Sequence, residues 1–145
     1  MMRFQLYLAI GGERFDANSF HQSAGSPKAT VKRIGSRGHQ IDPGRFPVWD
    51  IWESERVSGS NDPGDDVSAL LAANSKAISL LQDPRWSGVS RWVAIVGHYT
   101  DDDGPRGFSF DEKTVKAVAE IGSSIMIDMV VDKEEILKHL LPRTT

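Results

Sequence analysis

The sequence predicts an α+β fold, a mostly antiparallel sheet with helices packed on one face. Three observations predict it. Some segments alternate apolar and polar residues with period two, and others repeat apolar residues at i, i+3 and i+4. Candidate strands and helices follow one another along the whole chain, which favours strands and helices in layers over an all-α or all-β plan. The two halves also echo each other. Leu8-Ala9-Ile10-Gly11, Phe15-Asp16 and a helix closed at Gly25 are matched by Ala94-Ile95-Val96-Gly97, Phe110-Asp111 and a helix closed at Gly122. A repeat of this kind raises an internal βα duplication. With 145 residues, a single domain over 1–145 is expected, with its core in 3–131 and an extra C-terminal helix over 132–142. A chain of this size buries roughly 68–70% of its unfolded surface.

Each element has a local reason. Phe4, Leu6, Leu8 and Ile10 recur at every second residue, so 3–10 reads as a half-buried strand ended by Gly11-Gly12. Asp16 suits a helix N-cap, Phe15 and Phe20 have the spacing of a hydrophobic staple, and Gly25 with Pro27 closes the helix. Residues 28–34 alternate weakly and read as a strand near an edge. Residues 35–47 hold Gly and Pro turn signals and read as a loop. In 48–53 Trp49 and Ile51 share one face of a strand and Trp52 takes the other. Residues 57–66 read as a flexible connector. Val67, Leu70, Leu71, Asn74, Ile78 and Leu81 follow helical spacing, with Asp65 and Asp66 at the positive end of the dipole and Asp83-Pro84 as the stop.

Residues 91–99 form a mostly apolar run suited to a central strand. A turn over 101–105 and a short strand over 107–110 follow. Asp111 caps a helix with Val115, Val118 and Ala119 inward, ended by Gly122. Residues 124–131 make the last strand. Ile136, Leu137, Leu140 and Leu141 form one stripe of the C-terminal helix.

Composition narrows the chemistry. Seventeen basic residues against twenty acidic leave a formal charge of −3, a poor basis for general nucleic-acid binding. Hydrophobic residues at 39% and four Trp with six Phe set the chain apart from disordered sequences. The absence of cysteine excludes disulfides, thiolate zinc sites and Cys nucleophiles. No apolar run reaches the length of a signal-peptide core or a membrane span, so a cytoplasmic protein is expected, with no membrane partner.

Few residues carry candidate chemistry. Asp101-Asp102-Asp103-Gly104 begins like a calcium loop, with Glu112 at the twelfth position, but Pro105, Arg106, Phe108 and Phe110 interrupt the ligand ladder. No metal and no cofactor are expected. His98, at a strand end beside that acidic turn, is the best acid–base candidate, although no nucleophile or oxyanion donor accompanies it. Asp128 interrupts an apolar strand and must be paired, solvated or functional; a basic side chain on the next strand is the favoured partner. His21 and His139 are expected on exposed helix surface. Lys28, Lys32, Arg33, Arg37 and Arg45 precede Phe46, Trp49 and Trp52, a mix that suits single-stranded nucleic acid but equally an edge strand defended by cations. The edge-strand reading is preferred.

The segment Gly107-Phe108-Ser109-Phe110-Asp111, continued by Val118-Ala119-Glu120-Ile121-Gly122-Ser123-Ser124-Ile125-Met126-Ile127-Asp128, resembles a family of small bacterial proteins. That family is catalogued as domain of unknown function 4279. The opening strand, the Phe15-Asp16 helix and Trp49 fit the same pattern, so the resemblance spans about residues 3–131. The acidic connectors and the tail after Val131 depart from it. The resemblance implies an α+β fold, supplies no catalytic residue, and marks Asp128 as a recurring position.

These observations lead to two functional expectations. The first is a small protein-binding module, an immunity protein that neutralises a cognate toxin through acidic surface: Asp62, Asp65, Asp66, Asp101, Asp102 and Asp103, with Trp52 exposed beside them. Such charges chiefly accelerate docking to a basic partner. The second is a small-ligand or hydrolytic site at His98 and Asp128.

Overall fold

A computed structural model describes residues 3–34, 49–59, 63–99 and 109–131. The sequence expectations over 35–47, 101–105 and 132–142, which include Asp101, Asp102 and Asp103, lie outside the described residues, as does Asp62. The elements run β1 (Arg3–Gly12), α1 (Ala17–Ala24), β2 (Thr30–Ile34), β3 (Trp49–Glu53), β4 (Val57–Gly59), α2 (Pro63–Ala73), α3 (Ser75–Leu80), β5 (Ser90–Tyr99), α4 (Glu112–Glu120) and β6 (Ser124–Val131). A short 3-10 turn at Pro84–Trp86 precedes β5. The fold is α+β: one six-stranded sheet, mostly antiparallel, with four helices packed against it.

The sheet order is β2-β3-β1-β5-β6, with β4 also on β1. β1 and β5 are the long central strands, antiparallel, with Tyr7 opposite Ala94. β3 lies along Ala9–Gly12, and β4 lies along Phe4–Leu6. Between them the chain bends at Ser54, whose backbone N–H donates to the Leu8 carbonyl while its Oγ accepts from the Leu8 N–H, both at 2.8 Å. The buried serine thereby replaces a missing ladder partner. β6 lies parallel to β5, and α4 lies in the crossover that parallel neighbours need.

Period two sorts the sheet into faces. Phe4, Leu6, Leu8 and Ile10 of β1 join Trp52, Val93 and Ile95 on one face, under Ala17, Phe20, Val67, Leu70, Ala77 and Val118 of the helices. Phe20 is the hub of this core. Its ring meets Phe15 at 5.5 Å, Trp52 at 5.2 Å and Trp86 at 5.2 Å between centroids. Edge contacts of this kind each contribute about 0.5–1.5 kcal/mol beyond burial. The opposite face carries Tyr7, Ala9, Ile51, Ala94 and Val96, with Trp49 and Trp92 at its margin, and no described helix residue joins it.

Helix ends follow the local signals. The Asp16 carboxylate accepts from the Ser19 N–H at 3.1 Å and from the Ser19 hydroxyl at 2.7 Å, and Gly25 takes φ 66 at the other end. Asp111 accepts from the Thr114 N–H at 2.7 Å. α4 closes with Gly122 N–H donating to the Ala119 carbonyl and Ser123 N–H to the Val118 carbonyl, with Gly122 at φ 67. That paired closure needs a residue tolerant of positive φ. The echo between halves therefore consists of a strand and a helix capped by Phe-Asp-x-x-Ser/Thr. It does not extend to pairing, since β1 has only antiparallel neighbours whereas β5 pairs β6 in parallel.

Three expectations are corrected. The connector 57–66 contains β4 and the first turn of α2, which opens at Pro63, a residue suited to a first turn because it gives up no needed N–H. The helix expected through Leu81 breaks at Asn74 into α2 and α3, where the Asn74 side-chain amide donates to the Leu70 carbonyl at 2.9 Å. In α4 the buried positions are Thr114 and Val118, while Val115 is 49% exposed and Ala119 is exposed. The cap accounts for the change: Thr114, held by Asp111, takes the inward position that apolarity alone assigns to Val115. Among the described residues no helix is long and apolar enough to cross a membrane.

Candidate binding face

The face without described helices brings together two of the residues singled out in the sequence, His98 and Asp128. Cross-strand register sets them in rows. Ser58, Gln5, Val96 and Asp128 form one row over β4, β1, β5 and β6, and Arg3, His98 and Val130 the next. His98 and Asp128 are therefore diagonal neighbours on adjacent strands. His98 is half-buried at the end of β5 and opens on a hollow of about 380 Å³ shared with Arg3, Gln5 and Ser58. Asp128 is exposed in the middle of β6. Its register partner on β5 is Val96, and no described ion pair involves it. Among the described residues no basic side chain on the next strand pairs with it, and the carboxylate is exposed.

A second group of polar residues was not apparent in the sequence. Glu53 is 5% exposed, yet carries a carboxylate. Lys32 of β2 meets it at 2.7 Å, and Arg56 approaches its other oxygen at 4.0 Å. A buried acid needs such partners, because desolvation alone penalises the charge heavily. The Arg56 guanidinium also sits 4.6 Å over the Tyr7 ring and donates to the Gln5 side-chain carbonyl at 3.4 Å. Burial pushes the Tyr7 hydroxyl pKa up, and the negative charges of Glu53 and Asp128 push the same way, while Arg56 opposes them. Period two could have found Glu53, since it shares a face with Ile51. Its burial was hidden because Lys32 lies on another strand.

Trp52 is corrected from an exposed contact residue to a buried one. It is 0% exposed, because α1 covers its side of β3. Its indole N–H donates to His21 Nδ1 at 3.2 Å. His21 is accordingly a half-buried acceptor and not free helix surface. Asp65 is exposed in the first turn of α2, whereas Asp66 is half-buried and turns toward β4, its Oδ2 2.8 Å from where a Gly59 Cβ would stand.

Elsewhere, a cleft of about 720 Å³ lies at the other end of the sheet, with Arg14, Arg85, Trp49 and Trp86 among its lining. Arg85 stacks 4.6 Å over the Trp86 ring, and the buried Trp49 indole N–H meets no acceptor among the described residues. Glu13 and Asp16 line the same cleft, so its charge is balanced. Among the described residues no cluster of three or more metal-ligating side chains occurs.

β6 completes the face. It has β5 on one side and, among the described residues, no strand on the other. Met126 is 40% exposed, Ile127 49% and Val130 36%. Large apolar side chains thus stand open on both sides of an edge strand whose only charge is Asp128. Comparison with family models, curated proteins and solved structures finds no match to this chain.

Proposed function

We propose that this chain is a small protein-binding module that engages its partner through β6 and the adjoining helix-free face. The observation that carries the reading is an apolar edge strand with no second neighbour among the described residues. Soluble proteins usually shield such strands with charge, proline or a covering element, because unpaired backbone groups beside apolar side chains invite another chain. β6 holds one carboxylate among Met126, Ile127 and Val130. In this reading the partner is a toxin neutralised by the chain, as in an immunity protein, and the chain belongs with the bacterial domain of unknown function 4279. The contact moves from the acidic connectors to β6, since Trp52 is buried and Asp66 turns inward.

Affinity capture tests it. The wild-type chain is expected to recover a stoichiometric protein partner, and a Met126→Ser, Ile127→Thr, Val130→Thr triple variant to lose it while remaining folded. Recovery of no stoichiometric partner, or full retention by the triple variant, overturns the reading. The toxin assignment is tested by expressing the captured partner alone, which should arrest growth, and then with this chain, which should restore it.

A second reading, small-ligand binding, is favoured by the hollow beside His98 and by the diagonal approach of Asp128. A ligand that raises Tm in the wild type but in neither His98→Ala nor Asp128→Asn supports it.

A further inference from the structure

We propose that β6 recruits its partner by strand addition, pairing antiparallel with an extended segment that carries a lysine or arginine opposite Asp128 and apolar residues around it. This rests on the protein-binding reading and names the chemistry of the bound segment.

The geometry of the edge points to backbone pairing. β6 spans Ser124–Val131 and keeps register with β5 from Trp92–Ser124 to Tyr99–Val131. A strand held in full register on one side presents ordered N–H and C=O groups on the other, and added segments take up such groups. Antiparallel addition uses the more favourable hydrogen-bond pattern. The exposed side chains supply specificity. Met126, Asp128 and Val130 project on the helix-free face, and Ile127 on the other. An incoming strand therefore meets apolar groups on both faces and one negative charge near its middle.

That charge selects the occupant. Pairing with a second copy, centred on Asp128, would set two carboxylates directly across from each other, where like charges repel. Centring on Ile127 or Met129 would place Asp128 against Met126 or Val130 and desolvate it without a partner. A basic residue opposite Asp128 removes both penalties. Among the described residues β5 sets Val96 opposite the carboxylate and His98 on its diagonal, and no ion pair holds it, so a cation on an added strand finds it available.

The experiment uses the full chain and two capped nine-residue probes that alternate valine and threonine about a central lysine or a central glutamate. Cross-strand charge pairs contribute roughly 0.2–1 kcal/mol each and like charges directly opposite repel, so the lysine probe should bind at least about 1.4- to 5-fold more tightly than the glutamate probe. Asp128→Lys should reverse that preference, and bound probe should slow amide exchange in β6. An unchanged preference in Asp128→Lys, or binding without new protection in β6, overturns strand addition. So does self-association of the wild-type chain through β6, which would make a second copy the occupant. If neither probe binds while the Met126, Ile127 and Val130 triple variant still loses its captured partner, strand addition fails and the protein-binding reading stands.

Discussion

The Trp52 indole N–H donates to His21 Nδ1 across 3.2 Å, joining the middle of β3 to the middle of α1. The bond sits against the Phe20 ring, itself 5.2 Å from the Trp52 ring. Because Nδ1 accepts, the neutral imidazole carries its proton on Nε2. His21→Ala leaves a buried indole donor without an acceptor, and this should cost about 1–3 kcal/mol. His21→Asn, whose side-chain oxygen falls near the Nδ1 position, should recover part of the loss. Urea denaturation followed by tryptophan fluorescence measures both. Equal stability of His21→Ala and wild type would remove the bond from the energetics of the core.

The two N-caps predict an acid limb. The Ser19 hydroxyl and then its N–H hold the Asp16 carboxyl below its usual range, and the Thr114 hydroxyl and N–H do the same for Asp111. A carboxyl whose pKa is depressed on folding adds stability above its unfolded value, about 3.9, and loses it as pH falls through the folded value. Stability should therefore decline below about pH 4. Asp16→Asn with Asp111→Asn keeps the accepting oxygens and removes the charge, so the decline should flatten. Chemical denaturation between pH 2.5 and 6 is the measurement, and an unchanged slope in the double variant would count against the caps.

Tyr7 predicts an alkaline limb with the opposite sign. Its hydroxyl is raised by burial first, then by Glu53 and Asp128 against the opposing Arg56. A phenol raised on folding stays protonated in the native state while the unfolded state ionises from about pH 10. Its contribution is complete below that value and is lost as pH rises through the folded pKa. Tyr7→Phe should remove this part of the alkaline decline. Ultraviolet titration of the phenolate should show Glu53→Gln lowering the Tyr7 transition more than Asp128→Asn does. The reverse order would mean that Asp128 dominates the field on this face.

Signals that act within a few residues were legible in the sequence. Asp16 and Gly25 bound α1 through bonds to residues three and four positions away, and Asp111 and Gly122 bound α4 likewise. The alternation of β1 set its faces. The break at Asn74 was not legible, because helical spacing continues from Leu70 to Ile78 while the Asn74 side-chain amide and backbone N–H share the Leu70 carbonyl. β4 is three residues long and exists through its pairing with β1, a contact spanning more than fifty positions. The binding face was half legible. His98 and Asp128 stood out as single residues. Their diagonal approach and the burial of Glu53 needed strand order, which periodicity does not contain.

Two strand glycines separate a rigid constraint from a soft one, and they lie on opposite faces of the sheet. A Cβ on Gly11 would come within 2.9 Å of Ile51 Cγ1, 3.3 Å of the Asp50 carbonyl oxygen and 3.4 Å of the Trp92 ring. Ile51 is 1% exposed and the carbonyl is backbone, so neither can withdraw without moving β3. Overpacking of that kind costs about 1–3 kcal/mol. A Cβ on Gly97 would meet Met129 Sδ at 2.8 Å and Cε at 3.0 Å. That thioether is the far end of a flexible side chain on an edge strand, and it can rotate aside. Gly11→Ala should therefore lower the denaturation midpoint clearly, and Gly97→Ala only slightly. Gly97→Ala also displaces Met129 at the β6 edge, so it should weaken partner capture more than it weakens the fold. Loss of fold before loss of capture in Gly97→Ala would place Met129 in the core and outside the contact.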